Sequence, residues 1–202
     1  MPGFLLAMNS AERSQLLQDL ASGDDDRAEA AVWALGRLDE DALPGIRELL
    51  SSPSVDCRWW ATRALSEIRS PAAIAALIDQ CADSDPDVRA CAVYALGTLD
   101  GQAASAIPAL IGRLADPSVY VGQIAADSLA RIGPAATPHL VVALKEGAPS
   151  VRGRAARALA RIADRESVPA LIGALDDENP IVEYYADIAL QKMGVGTVLL
   201  KV

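Results

Sequence analysis

The sequence predicts an all-α protein, a right-handed α-solenoid built from six helical hairpins. Six apolar-rich stretches begin at positions 13, 43, 74, 107, 137 and 168, and six more begin at 27, 57, 88, 121, 151 and 182. In both sets, successive starts lie 30 to 33 residues apart. The composition is 51% apolar but only 4% aromatic, and Ala and Leu favour helix over sheet. Because one hairpin cannot bury its apolar faces alone, a regular series of hairpins predicts side-by-side stacking.

The first stretch of each repeat is expected to be a short helix. Four of the six carry proline at their second residue, where a missing N–H costs little: Pro44, Pro108, Pro138 and Pro169. Acidic residues, with a proline in every repeat except the first, mark the turn that follows. Each repeat therefore begins with a helix that ends at an abrupt turn.

The second stretch predicts a longer amphipathic helix. Counted from its last leucine, the residue four positions earlier is always alanine: Ala31, Ala61, Ala92, Ala125, Ala155 and Ala186. These alanines, the leucines and the apolar residues three positions beyond them form one stripe with a 3.6-residue period. Small side chains in this stripe allow neighbouring helix backbones to approach closely. The stripe is therefore expected to be the buried face.

The repeats are expected to form a single domain covering residues 1–202. Their predicted bounds are 10–38, 41–69, 71–99, 104–132, 135–163 and 166–194. An apolar segment, residues 195–202, follows the last repeat. Three roles are open for it: it folds over the last repeat, begins a truncated seventh, or mediates self-association, since an uncapped solenoid exposes its core.

The turns carry a resemblance to a known family. The period near 31, the sequences DPDVR (85–89) and PSVR (149–152), and the A-L-G endings (34–36 and 95–97) resemble the HEAT-like repeats of phycobilin lyase subunits. The resemblance implies a ladder of bonds between turn aspartates and the arginine that follows valine. Arg58, Arg89 and Arg152 match that arginine, whereas Ala28, Gly122 and Glu183 depart from it.

The residues give little support for catalysis. The related hydroxylases need several His-Glu pairs, but the chain has one histidine, His139, and Leu140 follows it. Cys57, Cys81 and Cys91 form no CxxC pair and are interpreted as packing residues in or beside the apolar stripe. The sequence therefore predicts no catalytic residue, no metal site, no cofactor and no enzymatic activity. The cysteine pattern also favours a reducing, cytoplasmic location.

The overall charge argues against nucleic-acid and membrane partners. The net charge is −9 and the isoelectric point is near 4.6, whereas binding to phosphates requires a surplus of basic residues. No apolar run approaches the ~18 residues needed to span a bilayer.

The charge is nevertheless unevenly distributed. The second stretches, extended to twelve residues each, carry 11 of the 18 basic residues but only 5 of the 27 acidic ones. In HEAT-like repeats the second helices line the concave side, so the resemblance implies a basic groove. Helical angles place aromatic and basic side chains opposite the buried stripe, and we take these as candidate binding residues: Trp33, Arg37, Trp59, Arg63, Tyr94, Arg131, Arg157, Arg161 and Tyr184.

These features favour a non-catalytic scaffold that binds an acidic protein or peptide in the groove. An alternative is a phycobilin lyase-like protein or tetrapyrrole chaperone, in which the arginines hold propionates and the rings stack on the pigment. A further alternative is a HEAT-like DNA glycosylase, suggested by Asp127 beside Arg131. The same aromatic residues could instead pack laterally between helices, and the arginines could simply be solvated.

Overall fold

The computed structural model describes residues 10–99 and 104–195, and these residues contain twelve α-helices and no β-strand. The first helices of the six repeats are α1 (Ser10–Leu20), α3 (Leu43–Leu49), α5 (Pro71–Gln80), α7 (Ile107–Arg113), α9 (Thr137–Glu146) and α11 (Val168–Gly173). The second helices are α2 (Asp25–Gly36), α4 (Val55–Leu65), α6 (Pro86–Thr98), α8 (Val119–Ile132), α10 (Pro149–Ile162) and α12 (Pro180–Lys192). The predicted all-α repeat fold is confirmed.

The chain divides into two compact units, Met1–Ala95 and Leu96–Val202, and the division falls within α6. In the first unit, α1 packs on α2, α3 packs on α4, and the second helices α2 and α4 contact each other. In the second unit, the pairs are α7 with α8, α9 with α10, and α11 with α12. There α10 contacts both α8 and α12, so second helices stack on second helices within each unit.

The core lies along the predicted stripe. All six alanines of the second helices are at most 1% exposed, and the six leucines that follow them are at most 4% exposed. Five of the matching first-helix residues are fully buried: Ile46, Leu77, Leu110, Leu140 and Leu171. Leu16, their counterpart in α1, is only half-buried. The predicted core is therefore confirmed, with this one weaker position.

Polar side chains define where several helices begin. The side chains of Asp24, Ser54, Ser70 and Asn179 each accept a hydrogen bond from a backbone N–H in the first turn of the following helix. Such caps satisfy N–H groups that have no partner inside the helix. At α2, α4 and α12 they explain why the helix begins two residues before the apolar stretch read from the sequence.

Arg58 and Arg152 each form a rung of the expected Asp–Arg ladder. Arg58 of α4 donates two hydrogen bonds to the carboxylate of Asp83, at 2.8 and 2.9 Å. Arg152 of α10 binds Asp177 in the same way, with both distances 2.8 Å. Each rung ties the start of one second helix to the turn of the next repeat. Arg89 also donates to the carbonyl oxygens of its own turn, at Asp83 and Ser84.

These bonds change the acidity of the carboxyl groups. The hydrogen bonds from Arg58 lower the pKa of Asp83, and those from Arg152 lower the pKa of Asp177. In both cases burial has a smaller, opposing effect. The charged forms are therefore favoured by the folded state.

Gly122 departs from the ladder pattern, and the structure gives a local reason. A Cβ atom at this position would lie 2.5 Å from the guanidinium carbon of Arg154. Arg154 of α10 crosses above Gly122 and donates a 2.5 Å hydrogen bond to the carbonyl oxygen of Leu114, just after α7. The missing side chain thus makes room for a different link between the fourth and fifth repeats.

Two helical glycines are expected to respond oppositely to the same substitution. A Cβ at Gly97 would lie 2.7 Å from the backbone Cα of Ser128, whereas a Cβ at Gly112 would meet nothing within 4 Å. We expect Gly97→Ala to lower the free energy of unfolding by about 1–3 kcal/mol through overpacking. We expect Gly112→Ala to raise it by about 0.4–1 kcal/mol, because alanine restricts the unfolded chain. Urea denaturation followed by circular dichroism tests both; equal effects would contradict the packing seen at Gly97.

The predicted role of the C-terminal segment is left open by the structure, because residues 196–202 lie outside the described part of the chain. Across the residues that are described, no helix is long and apolar enough to cross a membrane.

Candidate functional site

In the first unit, α2 and α4 present matching rows of side chains to solvent. Asp26, Glu29, Trp33 and Arg37 lie three or four residues apart along α2 and just beyond its end, so they share one face. The corresponding row on α4 is Asp56, Trp59, Arg63 and Glu67. We call these eight side chains the α2–α4 face. It contains four of the nine predicted binding residues: Trp33, Arg37, Trp59 and Arg63.

The centre of this face is a contact between a cation and an aromatic ring. The guanidinium of Arg63 lies 5.4 Å from the ring centroid of Trp33, within the range of cation–π attraction. Arg63 also donates hydrogen bonds to Glu67 at 2.5 Å and to the hydroxyl of Ser66 at 2.6 Å. Trp33 nevertheless remains 53% exposed. Arg63 therefore stabilises one side of the indole and leaves the rest of the ring open to solvent.

A shallow hollow of about 560 Å³ lies at the C-terminal end of the face. Trp33, Gly36, Arg37 and Glu67 are among the residues that line it. A Cβ at Gly36 would lie 2.5 Å from the Cβ of Glu67, so glycine allows the two helix ends to approach closely and forms the floor. The side chain of Arg37 is exposed, and its guanidinium makes no hydrogen bond or ion pair with the side chains that the structure describes.

The N-terminal end of the same face has the opposite charge. A hollow of about 640 Å³ is lined there by Gly23, Trp59, Trp60 and four carboxylates, which belong to Asp25, Asp26, Glu29 and Asp56. The two indole rings meet edge to face, with centroids 4.8 Å apart. Within the described chain, none of these four carboxylates makes a side-chain hydrogen bond or ion pair. The surroundings of Trp59 are therefore acidic rather than basic.

Tyr94 of α6 is also in the first unit and is 53% exposed. Nearby Cys91 is largely buried, and this burial raises the pKa of its thiol to about 12, against an opposing effect of the Arg63 charge. The thiolate is the nucleophilic form of cysteine. At neutral pH the Cys91 thiol is thus poorly suited to covalent chemistry.

In the second unit, two of the predicted arginines converge on a single carboxylate. Arg157 of α10 donates to both oxygens of Asp127 on α8, at 2.9 and 3.1 Å. Arg161, one turn later, also pairs with Asp127. The side chains of Asp127, Arg157 and Arg161 are between 30% and 48% exposed to solvent. Two cations around one anion leave a net positive, solvent-accessible cluster.

The remaining predicted residues of this unit are exposed. Arg131 lies one turn beyond Asp127 on α8. Tyr184 of α12 is 60% exposed and contacts Tyr185 edge to face, with centroids 5.2 Å apart. Lys192, also basic and on α12, instead donates a 3.0 Å hydrogen bond to the carbonyl oxygen of Ala160.

Within each unit the structure brings some predicted residues together and separates others. Trp33, Arg37 and Arg63 lie side by side, as do Arg157 and Arg161. Trp59 lines the acidic hollow with Trp60 and the four carboxylates, whereas Trp33 and Arg37 line the other hollow. The candidate binding residues chosen from the sequence do not include Trp60, Asp26, Glu29 or Asp56, which line the acidic hollow. The spacing that selected Trp33 and Arg37 also places Asp26 and Glu29 in the same row, so this signal was present in the sequence.

Among the side chains that the structure describes, no group of three or more His, Cys, Asp or Glu residues is arranged to hold a metal ion. His139 is exposed on α9, and Cys81 is 3% exposed in the core.

Solved structures share the fold. The archaeal HEAT-like repeats protein from Thermococcus onnurineus NA1 is similar with a TM-score of 0.63 and 16% identity, over 95% of this chain and 84% of that chain. A designed armadillo repeat protein in complex with the peptide (KR)4 gives a TM-score of 0.54 and 23% identity, over 90% and 99% of the two chains. At such identities the likeness shows the fold alone.

The narrower resemblance to phycobilin lyase repeats stays a prediction. The CpcE–CpcF complex of phycocyanin lyase from Nostoc sp. PCC7120 matches with a TM-score of 0.44 and 22% identity, over 90% of this chain and 99% of that chain. This similarity is too low to carry an argument about activity. No curated protein matches the sequence significantly.

A sequence model of HEAT repeats matches residues 13–97, 74–148 and 137–199. These overlapping stretches include both helices of nearly every repeat described above. The chain therefore belongs to the HEAT repeat family.

Proposed function

We propose that this protein is a non-catalytic scaffold whose second helices bind an acidic protein or peptide. The observation that carries the proposal is the exposure of large aromatic rings on faces that the core does not use, with arginines beside Trp33. Trp33, Tyr94 and Tyr184 are each more than half exposed. Aromatic and arginine side chains dominate the binding energy of many protein interfaces.

The arginine cluster of the second unit supports an acidic partner. Arg157 and Arg161 already hold the carboxylate of Asp127, so their guanidinium groups are arranged to bind an anion. Asp127 also lowers the affinity for any external carboxylate, because it competes for the same donors. Arg131 adds a third positive charge on the same helix as Asp127.

The solved neighbour gives this mode of action a precedent. The designed armadillo repeat protein, which shares the fold, holds the peptide (KR)4. The charge of the ligand is set by the side chains on the binding face rather than by the fold. For the arginine cluster of the present chain, the complementary ligand is acidic.

A labelled acidic peptide tests the proposal. A fluorescein-tagged octaglutamate is titrated with the full chain in low salt, and fluorescence polarisation is recorded. We expect binding that the double substitution Arg157→Gln/Arg161→Gln weakens about thirtyfold, since it removes two charge-assisted bonds of about 1 kcal/mol each. We expect Asp127→Asn to strengthen it several-fold by removing the internal competitor.

Lys145→Gln is the matched control, because Lys145 is an exposed cation on the first helix α9 of the same repeat. It should leave the affinity unchanged if binding is confined to the second helices. Equal loss in the control and the double variant, or no difference between octaglutamate and a neutral Gly-Ser octapeptide, would contradict the proposed site. Circular dichroism verifies that each variant keeps its helices.

A further inference from the structure

The α2–α4 face has two ends of opposite charge. At the N-terminal end, Asp25, Asp26, Glu29 and Asp56 surround the rings of Trp59 and Trp60. At the C-terminal end, Arg37 and Arg63 lie beside Trp33. The face therefore offers negative charge with two indoles at one end and positive charge with one indole at the other.

The N-terminal hollow has the features of a site for an organic cation. Indole rings attract cations through their faces, and carboxylates add direct charge attraction. The described carboxylates are not grouped closely enough to hold a metal ion, so a bare divalent cation is a poor fit. A lysine or arginine side chain suits the hollow better, because its apolar stem packs on the rings while its charged end reaches the rim.

Helix capping explains only part of this acidity. Asp25, Asp26 and Asp56 lie in the first turns of α2 and α4, where negative charge favours the helix dipole. Glu29 lies a full turn further along α2 and gains little from the dipole. Neither capping nor the dipole accounts for the two half-exposed indoles between the acidic side chains.

The C-terminal end provides the complementary charge. Glu67 neutralises one arginine through its bond to Arg63, but Arg37 has no partner among the described residues. Arg37 lines the hollow together with the half-exposed ring of Trp33. A carboxylate placed there would contact a guanidinium that pairs with none of the described side chains.

Helix geometry sets the distance between the two ends. Asp26 and Arg37 are eleven residues apart, and α-helical rise of 1.5 Å per residue places them about 16 Å apart. An extended peptide advances about 3.3 Å per residue, so four or five residues cover this length.

We propose that the α2–α4 face binds an extended peptide segment with a lysine or arginine at the Trp59–Trp60 hollow and a glutamate or aspartate at Arg37, four or five residues away. This inference rests on the proposed role as a protein-binding scaffold and adds a charge pattern for the part of the partner that contacts the first unit. The partner there is dipolar rather than uniformly acidic.

Ligand binding to this face can be followed directly through the three tryptophans of the chain, which are Trp33, Trp59 and Trp60. Their indole N–H signals are followed by two-dimensional NMR on the full-length protein and assigned with single Trp→Phe variants. N-acetyl-arginine amide should shift Trp59 and Trp60 but not Trp33, and N-acetyl-glutamate amide should shift Trp33 alone. The peptide Arg-Gly-Ser-Gly-Ser-Glu, blocked at both ends, should shift all three and bind about tenfold more tightly than either amide, because the tether joins two weak contacts.

Charge-neutral variants test the cause of these shifts. One triple variant replaces three carboxylates of the acidic hollow by amides: Asp26→Asn/Glu29→Gln/Asp56→Asn. It should abolish the indole shifts caused by the arginine amide and leave the Trp33 response to the glutamate amide intact. Asp79→Asn, an exposed carboxylate on the first helix α5, is the control and should change neither. The proposal is overturned if the arginine amide moves no indole signal, if its effect survives the triple substitution, or if the dipolar peptide binds no better than the single amides.

The result of this NMR experiment can be distinguished from the result of the octaglutamate titration, which tests the proposed function. Octaglutamate binding depends on Arg157 and Arg161 in the second unit, whereas the indole shifts report only on the first. Octaglutamate binding without indole shifts refutes the dipolar ligand and leaves the scaffold proposal standing. Loss of octaglutamate binding alongside the expected indole shifts refutes the acidic-partner site and supports the dipolar one.

Discussion

Leu159→Ala is expected to lower the free energy of unfolding by about 2–5 kcal/mol, because it leaves a cavity in a fully packed interior. Leu159 is 0% exposed, and its helix α10 contacts both α8 and α12. The loss should therefore affect packing on both sides of the fifth repeat. Urea denaturation monitored by circular dichroism gives the change directly.

Val142→Ala serves as the control, since this side chain on the neighbouring helix α9 is 52% exposed. Its effect should stay within about 0.5 kcal/mol, as is usual for surface substitutions. If the two variants had equal effects, Leu159 would not occupy the core position given by the structure. A broadened transition for Leu159→Ala would indicate that the repeats lose their cooperativity.

Asp83→Asn is expected to lower the free energy of unfolding by about 2–3 kcal/mol at neutral pH. The substitution leaves the guanidinium of Arg58, which is only 12% exposed, without its charged partner. It also weakens the bond that the Asp83 carboxylate accepts from the backbone N–H of Asp85 at 2.8 Å. Asp79→Asn, an exposed carboxylate on α5, should change the stability little when measured in the same way.

The same contacts predict how stability depends on pH. Because the folded state lowers the pKa of Asp83 and Asp177, both groups stabilise the fold above the ordinary aspartate pKa of about 4. This contribution is lost as the pH falls through their lower, folded-state pKa values. The wild-type chain should therefore lose more stability below about pH 4 than Asp83→Asn does. An identical pH dependence in the two proteins would show that the Arg58–Asp83 contact makes no such contribution.

The repeat pattern predicted the fold well, because the spacing of apolar residues along each helix also determines which face packs against the neighbouring helices. Each alanine and leucine of the stripe recurs at fixed spacing, so one correct assignment determines six. The Asp–Arg rungs at Arg58 and Arg152 were expected from the resemblance to HEAT-like repeats rather than from the spacing. Leu16 was the exception, since its sequence position matches the other repeats while its burial does not.

The candidate site was predicted less completely. Helical angles placed Trp33, Arg37 and Arg63 opposite the buried stripe, and the structure shows them on one face of two adjacent helices. The angles did not reveal that Arg157 and Arg161 share Asp127, because that contact joins helices thirty residues apart in sequence. The charge count over whole helices also did not show that α2 and α4 carry acidic side chains at one end of their shared face and arginines at the other.

The sequence by itself determined the helical hairpins, their number and the stripe that forms the core, because burial of apolar side chains at a 3.6-residue period leaves few other arrangements. Only the tertiary structure decided which charges neutralise each other and which stay available to a ligand. Charge attraction acts between atoms a few ångströms apart, and those distances are set by how the helices pack against one another. Asp127 and Arg157 illustrate this, since neither position in the sequence indicates the other.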